Sequence, residues 1–300
     1  MSASSAPHPH PRDALIEFDA GPHKYTCAGD ANYLSVTTWL HSHFPPFDAD
    51  AIIKKMRLDN PTCKYYGQTP EQIKAGWDQN RDEAAAAGTA MHAAIEAFFL
   101  RLKPPHAPPG GTPPTAPLLE QVEGEGADAE NGGDGNELFN ASAPCVHPLF
   151  PLAPNGGSWG VSPHFVAFLA AHPRLKPYRV EWMIFDEDVH LAGSIDFVAE
   201  NDDGSLTIYD WKRCKEIKKT NSFGASAVTE CIAHLPDTNY WHYALQLNTY
   251  KTILERKYAK KVTALFLVGL HPNLPNYQLL KVPDLRQEMA DLFELRRAEL

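Results

Sequence analysis

The chain has 300 residues, of which 43% are hydrophobic and 21% charged, a composition typical of a globular protein with a sizeable core. No stretch approaches the roughly 18 consecutive apolar residues of a membrane helix, and the start lacks the apolar run of a secretory signal. We therefore expect a soluble, intracellular protein with no membrane partner. The formal net charge of −10 argues only weakly against a nucleic-acid partner, because seven of the acids lie within residues 104–160.

Before residue 104 the pattern predicts short strands around turns at 14–25 and 33–36, preceded by a flexible terminus over residues 1–12. It also predicts four helices, at 37–43, 49–57, 70–78 and 82–102. The last contains EAAAAGTAMHAAIEAFFL, which is dominated by good helix formers.

Residues 104–160 contain no lysine or arginine and are rich in proline and glycine. They show few periodic apolar positions, which is typical of a low-complexity, flexible insertion. We therefore expect one domain over residues 1–300 that carries this single long insertion.

After the insertion, strands and helices follow in mixed order. The pattern predicts helices at 162–171, 239–259 and 285–300. It predicts strands at 178–185, 190–200, 205–213, 262–270 and 277–282. This order favours an α/β fold with a central mixed or antiparallel sheet flanked by helices.

The sequence SIDFVAENDDGSLTIYDWKRCK predicts a hairpin that places two acids side by side. Strand side chains alternate, so Asp210 and Lys212 share one face. If the NDDG turn is centred near Asp203, paired residue numbers sum to 406, and Asp196 lies opposite Asp210 at about 5 Å. Two carboxylates this close repel each other unless a cation lies between them.

Two predicted helices and one strand add polar residues in regular positions. Gly88, His92 and Glu96 recur at helical spacing on one face, and Glu181 lies within the strand YRVEWMIF. A second stripe on the late helix consists of Tyr243, Gln246 and Tyr250. Each of these residues also has a purely structural interpretation, as a helix-packing contact, a surface acid, a partner of a lysine or the border of a core face.

An imidazole with two carboxylates is a ligand set that suits Mg²⁺ or Mn²⁺ better than structural zinc. A lysine on the same face adds a cation, which can orient or help to deprotonate an attacking water and neutralise charge on a phosphorus transition state. Phosphodiester hydrolysis is the chemistry that this set favours.

The ordered motifs GTAMHAAIE, an acid in a strand, GSID, DWK and QLNTY resemble those of the PD-(D/E)xK nuclease superfamily. Within it they resemble the RecB-like exonuclease branch, which reads GxxxH, E, GxxD, (D/E)xK and QxxxY. The early stretch SVTTWLHSHFPPFD is similar to the N-terminal portion of some relatives, including mitochondrial genome maintenance exonucleases and phage proteins. The resemblance implies a restriction-endonuclease-like core.

The resemblance also implies a function: a metal-dependent DNA nuclease, most commonly an exonuclease, that hydrolyses phosphodiester bonds by in-line attack of a metal-activated water. His92, Asp196, Asp210 and the backbone carbonyl of Trp211 would bind Mg²⁺ or Mn²⁺, and Lys212 would be the catalytic lysine. Glu181 would help to hold a second ion or the metal-bound water. Gln246 and Tyr250 would orient the site or the nucleic-acid backbone.

The expected partner is DNA, as a single strand or as duplex ends. Candidate contacts to its backbone are Lys215, Lys218, Lys219 and Tyr243, although a solvated charge run explains the lysines equally well. Some relatives hold an iron-sulfur cluster on four cysteines. The five scattered cysteines here include no CxxC pair and do not match that spacing, so no such cluster is expected.

Two other functions stay open at this point. A nucleic-acid-binding module without catalysis would not require His92, Asp196, Asp210 and Lys212 to be present together. A soluble interaction protein with structural ion pairs would place Asp196 and Asp210 far apart or in salt bridges, without dependence on a metal.

Overall fold

The computed structural model describes residues 8–101, 161–221 and 224–300. Most of the predicted flexible terminus and the predicted insertion, 104–160, lie outside these residues. None of the helices in the described ranges is both long enough and apolar enough to cross a membrane.

The centre of the protein is a six-stranded mixed sheet. Its strands are β3 (Leu34–Ser35), β4 (Pro177–Asp186), β5 (Leu191–Glu200), β6 (Leu206–Lys212), β7 (Val262–Gly269) and β8 (Gln278–Lys281), and a separate hairpin is formed by β1 (Ile16–Asp19) and β2 (Lys24–Cys27). Strand β6 runs parallel to β7, and the pairs β4–β5, β5–β6 and β7–β8 are antiparallel. The short β3 pairs in parallel with the start of β5.

Helices cover both faces of this sheet. They are α1 (Val36–His41), α2 (Ala49–Lys54), α3 (Pro70–Arg101), α4 (Pro163–Ala171), α5 (Asn239–Lys257) and α6 (Arg286–Ala298). One core cluster joins the sheet to α1, α5 and α6, and a second joins it to α4 and the end of α3. The architecture confirms the predicted α/β fold with a central mixed sheet.

The hairpin register matches the sequence prediction. Phe197 pairs with Tyr209 and Glu200 with Leu206, so that the paired numbers sum to 406. The side chains of β6 alternate as predicted, because Ile208 packs in the core beneath α5 whereas Tyr209 packs in the core beneath α4.

The predicted break between two helices at residues 79–81 is wrong, since α3 is continuous. Its start is fixed by a capping box, in which Gln72 N donates to Thr69 Oγ1 and Thr69 N donates to Gln72 Oε1. At the expected break, Asn80 Nδ2 donates a hydrogen bond to the Gly76 carbonyl at 2.6 Å, and no proline interrupts the helix.

Residues 8–12 are anchored, in contrast to the predicted flexible terminus. His8 stacks on Tyr178 with 4.1 Å between the ring centroids, and the Arg12 guanidinium lies 4.0 Å from the centre of the Phe185 ring. Asp13 follows directly and forms a buried ion pair with Arg179 at 2.8 Å. Residues 8–13 are therefore fixed to β4.

Candidate active site

The strands β5 and β6 separate at Asp196. Their ladder ends at Phe197 and Tyr209, whereas β6 stays paired with β7 as far as Lys212. Two residues beyond Tyr209, the N–H of Trp211 bonds to the Asp196 carboxylate at 2.8 Å instead of to a carbonyl of β5. Backbone and side chains at this fork are therefore released from the ladder and can face a ligand.

Asp196 is 9% exposed. Burial raises the pKa of its carboxyl, and the nearby charge of Glu181 raises it further, against the opposing effects of His92 and Lys212. The hydrogen bond from the Trp211 N–H orients one carboxylate oxygen and leaves the other available.

Asp210 and Lys212 point the same way, as the strand alternation predicted. The Lys212 ammonium lies 2.7 Å from Asp210 Oδ2, and Asp210 is 1% exposed. Burial raises the pKa of Asp210 to about 6 despite the lysine. Burial alone would lower the pKa of Lys212, but the charges of Asp210 and Asp196 outweigh it and raise that pKa to about 12. Lys212 is therefore an ammonium ion.

His92 reaches the fork from the C-terminal part of α3. Its Nδ1 lies 3.6 Å from Asp196 Oδ2 and 3.8 Å from Glu181 Oε1. Burial alone would lower the pKa of His92, but the contact with Glu181 and the charges of Asp196, Glu181 and Asp210 raise it to about 9. The imidazole thus lies in a strongly negative environment, which attracts any cation.

Glu181 reaches the same place because its backbone leaves the extended conformation. Its φ is +45°, while β4 stays paired with β5 on both sides of it. This left-handed conformation is uncommon for a residue other than glycine and is often found at functional sites. The carboxylate accepts a hydrogen bond from Ser194 Oγ at 3.1 Å, so Glu181 pairs with a serine and a histidine rather than with a lysine.

The donor set fits a divalent cation. His92, Glu181 and Asp196 each offer one ligand atom, and these atoms lie within 4.8 Å of one another. Ligand oxygens lie about 2.0–2.6 Å from Mg²⁺ or Ca²⁺, so one ion can bridge atoms with this spacing. Asp210 is not one of the three, but its buried Oδ1 has no hydrogen-bond partner among the described residues.

Asp210 distinguishes the interpretations. The structural ion-pair alternative expected it to be salt-bridged, and it is paired with Lys212. That alternative does not explain the unpartnered Oδ1, because an unsatisfied buried carboxylate oxygen is costly. A cation bound to Asp210 Oδ1 would satisfy it.

Lys212 is held from three sides. Besides Asp210, it donates to Gln246 Oε1 at 3.3 Å and lies 4.4 Å from the centre of the Tyr243 ring. Gln246 in turn donates to the Tyr250 hydroxyl at 3.1 Å. The predicted stripe of α5 therefore positions the lysine, and Tyr243 contacts Lys212 by a cation–π interaction.

Gly193→Ala is expected to destabilise the protein by about 1–3 kcal/mol, because overpacking forces neighbouring groups to move. A Cβ at Gly193 would lie 2.7 Å from Tyr250 Cε1 and 3.1 Å from its hydroxyl. Chemical denaturation measures this loss. Adding Tyr250→Leu should recover part of it, and a double variant with simply additive losses would contradict the proposed clash.

Gly88→Ala is the matched control. Among the described residues, no atom outside the adjacent helix backbone lies within 4 Å of a Cβ built at Gly88, which is inside α3. We expect Gly88→Ala to stabilise the protein by about 0.5–1 kcal/mol, the usual advantage of alanine over glycine in a helix.

The other predicted nucleic-acid contacts are on the surface. Lys215, Lys218 and Lys219 are exposed in the loop after β6. Lys218 pairs with Glu216 at 3.2 Å, and Lys219 lies 5.1 Å from the centre of the Tyr240 ring. Their role in binding DNA stays a prediction.

One residue near the site gave no signal in the sequence. Tyr25 on β2 is buried in a small cluster with Phe185 and Ala192. Burial raises the pKa of Tyr25 to about 12, and the charge of Glu181 contributes. The alternating burial of KYTC indicates a strand with one buried face but does not show that this face lies beside Glu181.

A profile of the PD-(D/E)XK nuclease superfamily matches residues 62–299. The match covers most of the chain, which therefore belongs to this superfamily, as the motifs predicted. No curated protein matches the chain in a sequence comparison. Membership indicates a metal-dependent nuclease that acts on nucleic acid.

Proposed function

We propose that the chain is a Mg²⁺- or Mn²⁺-dependent deoxyribonuclease of the RecB-like branch, which acts as an exonuclease. The observation that carries this proposal is the buried Oδ1 of Asp210, which has no hydrogen-bond partner in the described part of the chain, beside the cluster of His92, Glu181 and Asp196. Family membership supports the reaction class, and the fork between β5 and β6 supports the location.

The ion would be held by His92, Asp196, Asp210 and the Trp211 carbonyl, with Glu181 beside them. Bound there, a divalent ion supplies Lewis-acid polarisation of the scissile phosphate and lowers the pKa of water. The Trp211 N–H fixes Asp196, and Ser194 fixes Glu181. These contacts preorganise the acids before substrate binds.

Lys212 would stabilise the negative charge that develops on the phosphate during the in-line displacement. Its ammonium is already directed by Asp210 and Gln246, so little reorganisation is needed when the substrate arrives. The flanking ring of Tyr243 limits the directions in which the ammonium can move.

The test is cleavage of end-labelled single-stranded and duplex DNA, with a closed circle in parallel, in the presence of Mg²⁺, Mn²⁺ or EDTA. We expect linear DNA to be degraded only with a divalent ion and the circle to resist. Asp210→Asn should remove this activity, whereas Glu17→Gln, which alters an exposed acid on β1, should not.

Each outcome has a separate meaning. Cleavage of the circle would overturn the exonuclease proposal but keep the nuclease. Binding without cleavage by the wild type would favour the catalytically inactive binding module of the same fold. Cleavage that survives EDTA, or that Asp210→Asn leaves intact, would contradict the site.

Ser194→Ala is expected to raise the Mn²⁺ concentration for half-maximal cleavage by about 10-fold, because loss of a group that orients a ligand typically weakens metal binding by this factor or more. Ser194→Thr keeps the hydroxyl and should restore the wild-type value. A Mn²⁺ titration measures both, and an unchanged midpoint in Ser194→Ala would exclude Glu181 from the metal site.

A further inference from the structure

Exposed aromatic side chains cluster at the end of α3 that is distant from His92. Phe47 is 73% exposed and Tyr66 is 55% exposed. The Trp77 ring lies 5.7 Å from that of Phe47 and 6.0 Å from that of Tyr65, measured between centroids. Tyr66 follows Tyr65 in the sequence. We call the three contacting rings of Phe47, Tyr65 and Trp77, together with the adjacent exposed Tyr66, the aromatic platform. An exposed group of this kind is typical of a binding surface.

A hydrogen bond fixes two rings of the platform to each other. Trp77 Nε1 donates to the Tyr65 hydroxyl at 2.9 Å. In the same part of the chain, α2 packs against α3, and Ile53 of α2 and Ile73 of α3 are 5% and 1% exposed. Neither belongs to the three main core clusters of the described residues. The segment that carries the rings therefore has buried apolar side chains of its own.

Three lysines near the platform in the sequence have no ion-pair partner among the described residues. Two of the four acids between residues 48 and 71 form ion pairs with basic side chains: Asp50 with Lys74 at 2.5 Å, and Asp59 with Arg57 at 3.4 Å. The other two lie at helix starts: Asp48 accepts from the N–H of Ala51 at 2.9 Å, and Glu71 is in the first turn of α3. Lys54, Lys55 and Lys64 have no acid within 4 Å among the described residues, and Lys64 lies 5.2 Å from the centre of the Tyr65 ring.

The helix α3 joins the platform to the active site. Residues 78–86 are exposed on every side, so α3 crosses solvent between the platform and the main core. Ion pairs of Arg81 with Asp78 and Asp82, followed by a run of four alanines, favour the helical state there. Trp77 and His92 are fifteen positions apart, about 22 Å along the axis.

We propose that the aromatic platform binds the bases of a single DNA strand on its way to the active site. The proposal rests on the proposed nuclease function and adds the form of the substrate. Aromatic faces stack on any base, and nearby lysines follow the phosphate backbone, which together characterise surfaces for single-stranded nucleic acid. In a duplex the base faces are stacked on one another, so that they are not available to Phe47 and Tyr66.

The test is the affinity of the full chain for a fluorescent single-stranded oligonucleotide and for its duplex, by anisotropy in EDTA. Phe47→Ala should weaken single-strand binding by about 10-fold, since one base stack is worth on the order of 1–3 kcal/mol. Duplex binding should change little. Phe47→Trp should bind as the wild type, and Phe47→Leu should lose as much as alanine. Val228→Ala removes part of another exposed apolar side chain, 62% exposed, and should have no effect.

Equal affinities of Phe47→Ala and wild type would overturn the platform, and so would wild-type affinity in Phe47→Leu, because that would indicate apolar contact without stacking. A change in oligomeric state of Phe47→Ala in sedimentation would also overturn it and assign the patch to contacts between copies. Cleavage by the wild type with Mn²⁺ tests the nuclease separately. If the wild type cleaves DNA and Phe47→Ala binds single-stranded DNA as the wild type does, only the platform proposal is contradicted. If Phe47→Ala binds more weakly but the wild type does not cleave, only the nuclease proposal is contradicted.

Discussion

Lys212→Met is expected to slow DNA cleavage by a factor on the order of 1000, because one preorganised group that stabilises transition-state charge is worth about this much. The variant loses the ammonium 2.7 Å from Asp210 but keeps a side chain of similar length. Single-turnover cleavage at saturating Mn²⁺ measures the effect, and DNA affinity should stay close to that of the wild type.

Lys215→Met is the control for this experiment. It removes an exposed lysine three positions after Lys212. We expect a modestly weaker affinity for DNA, by loss of one phosphate contact, and a single-turnover cleavage rate equal to that of the wild type. The folded fraction of Lys212→Met must be checked by circular dichroism, since Asp210 loses its only close cationic partner among the described residues. A folded Lys212→Met protein that cleaves within tenfold of the wild type would refute the catalytic role.

Arg179→Met is expected to cost about 3–5 kcal/mol of unfolding free energy, because it leaves a buried carboxylate without its cation. The side chains of Arg179 and Asp13 are 8% and 7% exposed, and they lie 2.8 Å apart. Asp13 also accepts hydrogen bonds from Trp182 Nε1 at 3.0 Å and from His10 N at 2.8 Å. Urea denaturation at pH 7 measures the loss.

Lys176→Met provides the matched control, because its ion pair with Asp202 is largely exposed and should contribute about 0–1 kcal/mol. The pH dependence adds a second test. Burial would raise the pKa of Asp13, but its hydrogen bonds and the Arg179 charge lower it overall. The wild type therefore gains stability above the ordinary aspartate pKa of about 3.9 and loses it as the pH falls below that value. The cost of Arg179→Met should shrink in acid, and a cost that is constant with pH would contradict the ion pair.

The central hairpin could be predicted from the sequence because its determinants are local. The NDDG turn sets the register, and the period of two sets the faces. Asp196 and Asp210 therefore reach the same fork, and Lys212 shares a face with Asp210, as the numbers alone required. The helical spacing on α5 likewise brought Gln246 and Tyr250 together.

Other features depend on contacts that are distant along the chain. The anchoring of residues 8–13 relies on Arg179, 166 positions away from Asp13, and nothing local distinguishes it from a flexible terminus. Glu181 points to His92 because of one positive φ, which tertiary packing imposes on an ordinary strand residue. The sequence does not predict the continuity of α3, because the polar residues near 80 resemble a loop, although each is compatible with a helix.

The most direct test is the anomalous scattering of Mn²⁺ in crystals of the protein. We predict a peak at the fork between β5 and β6, within about 2.6 Å of oxygens of Asp196 and Asp210 and close to His92. The same crystals of Asp210→Asn should show a weaker peak or none. A strong wild-type peak elsewhere, with the fork empty at saturating Mn²⁺, would contradict the assignment of this site as the metal centre of the nuclease.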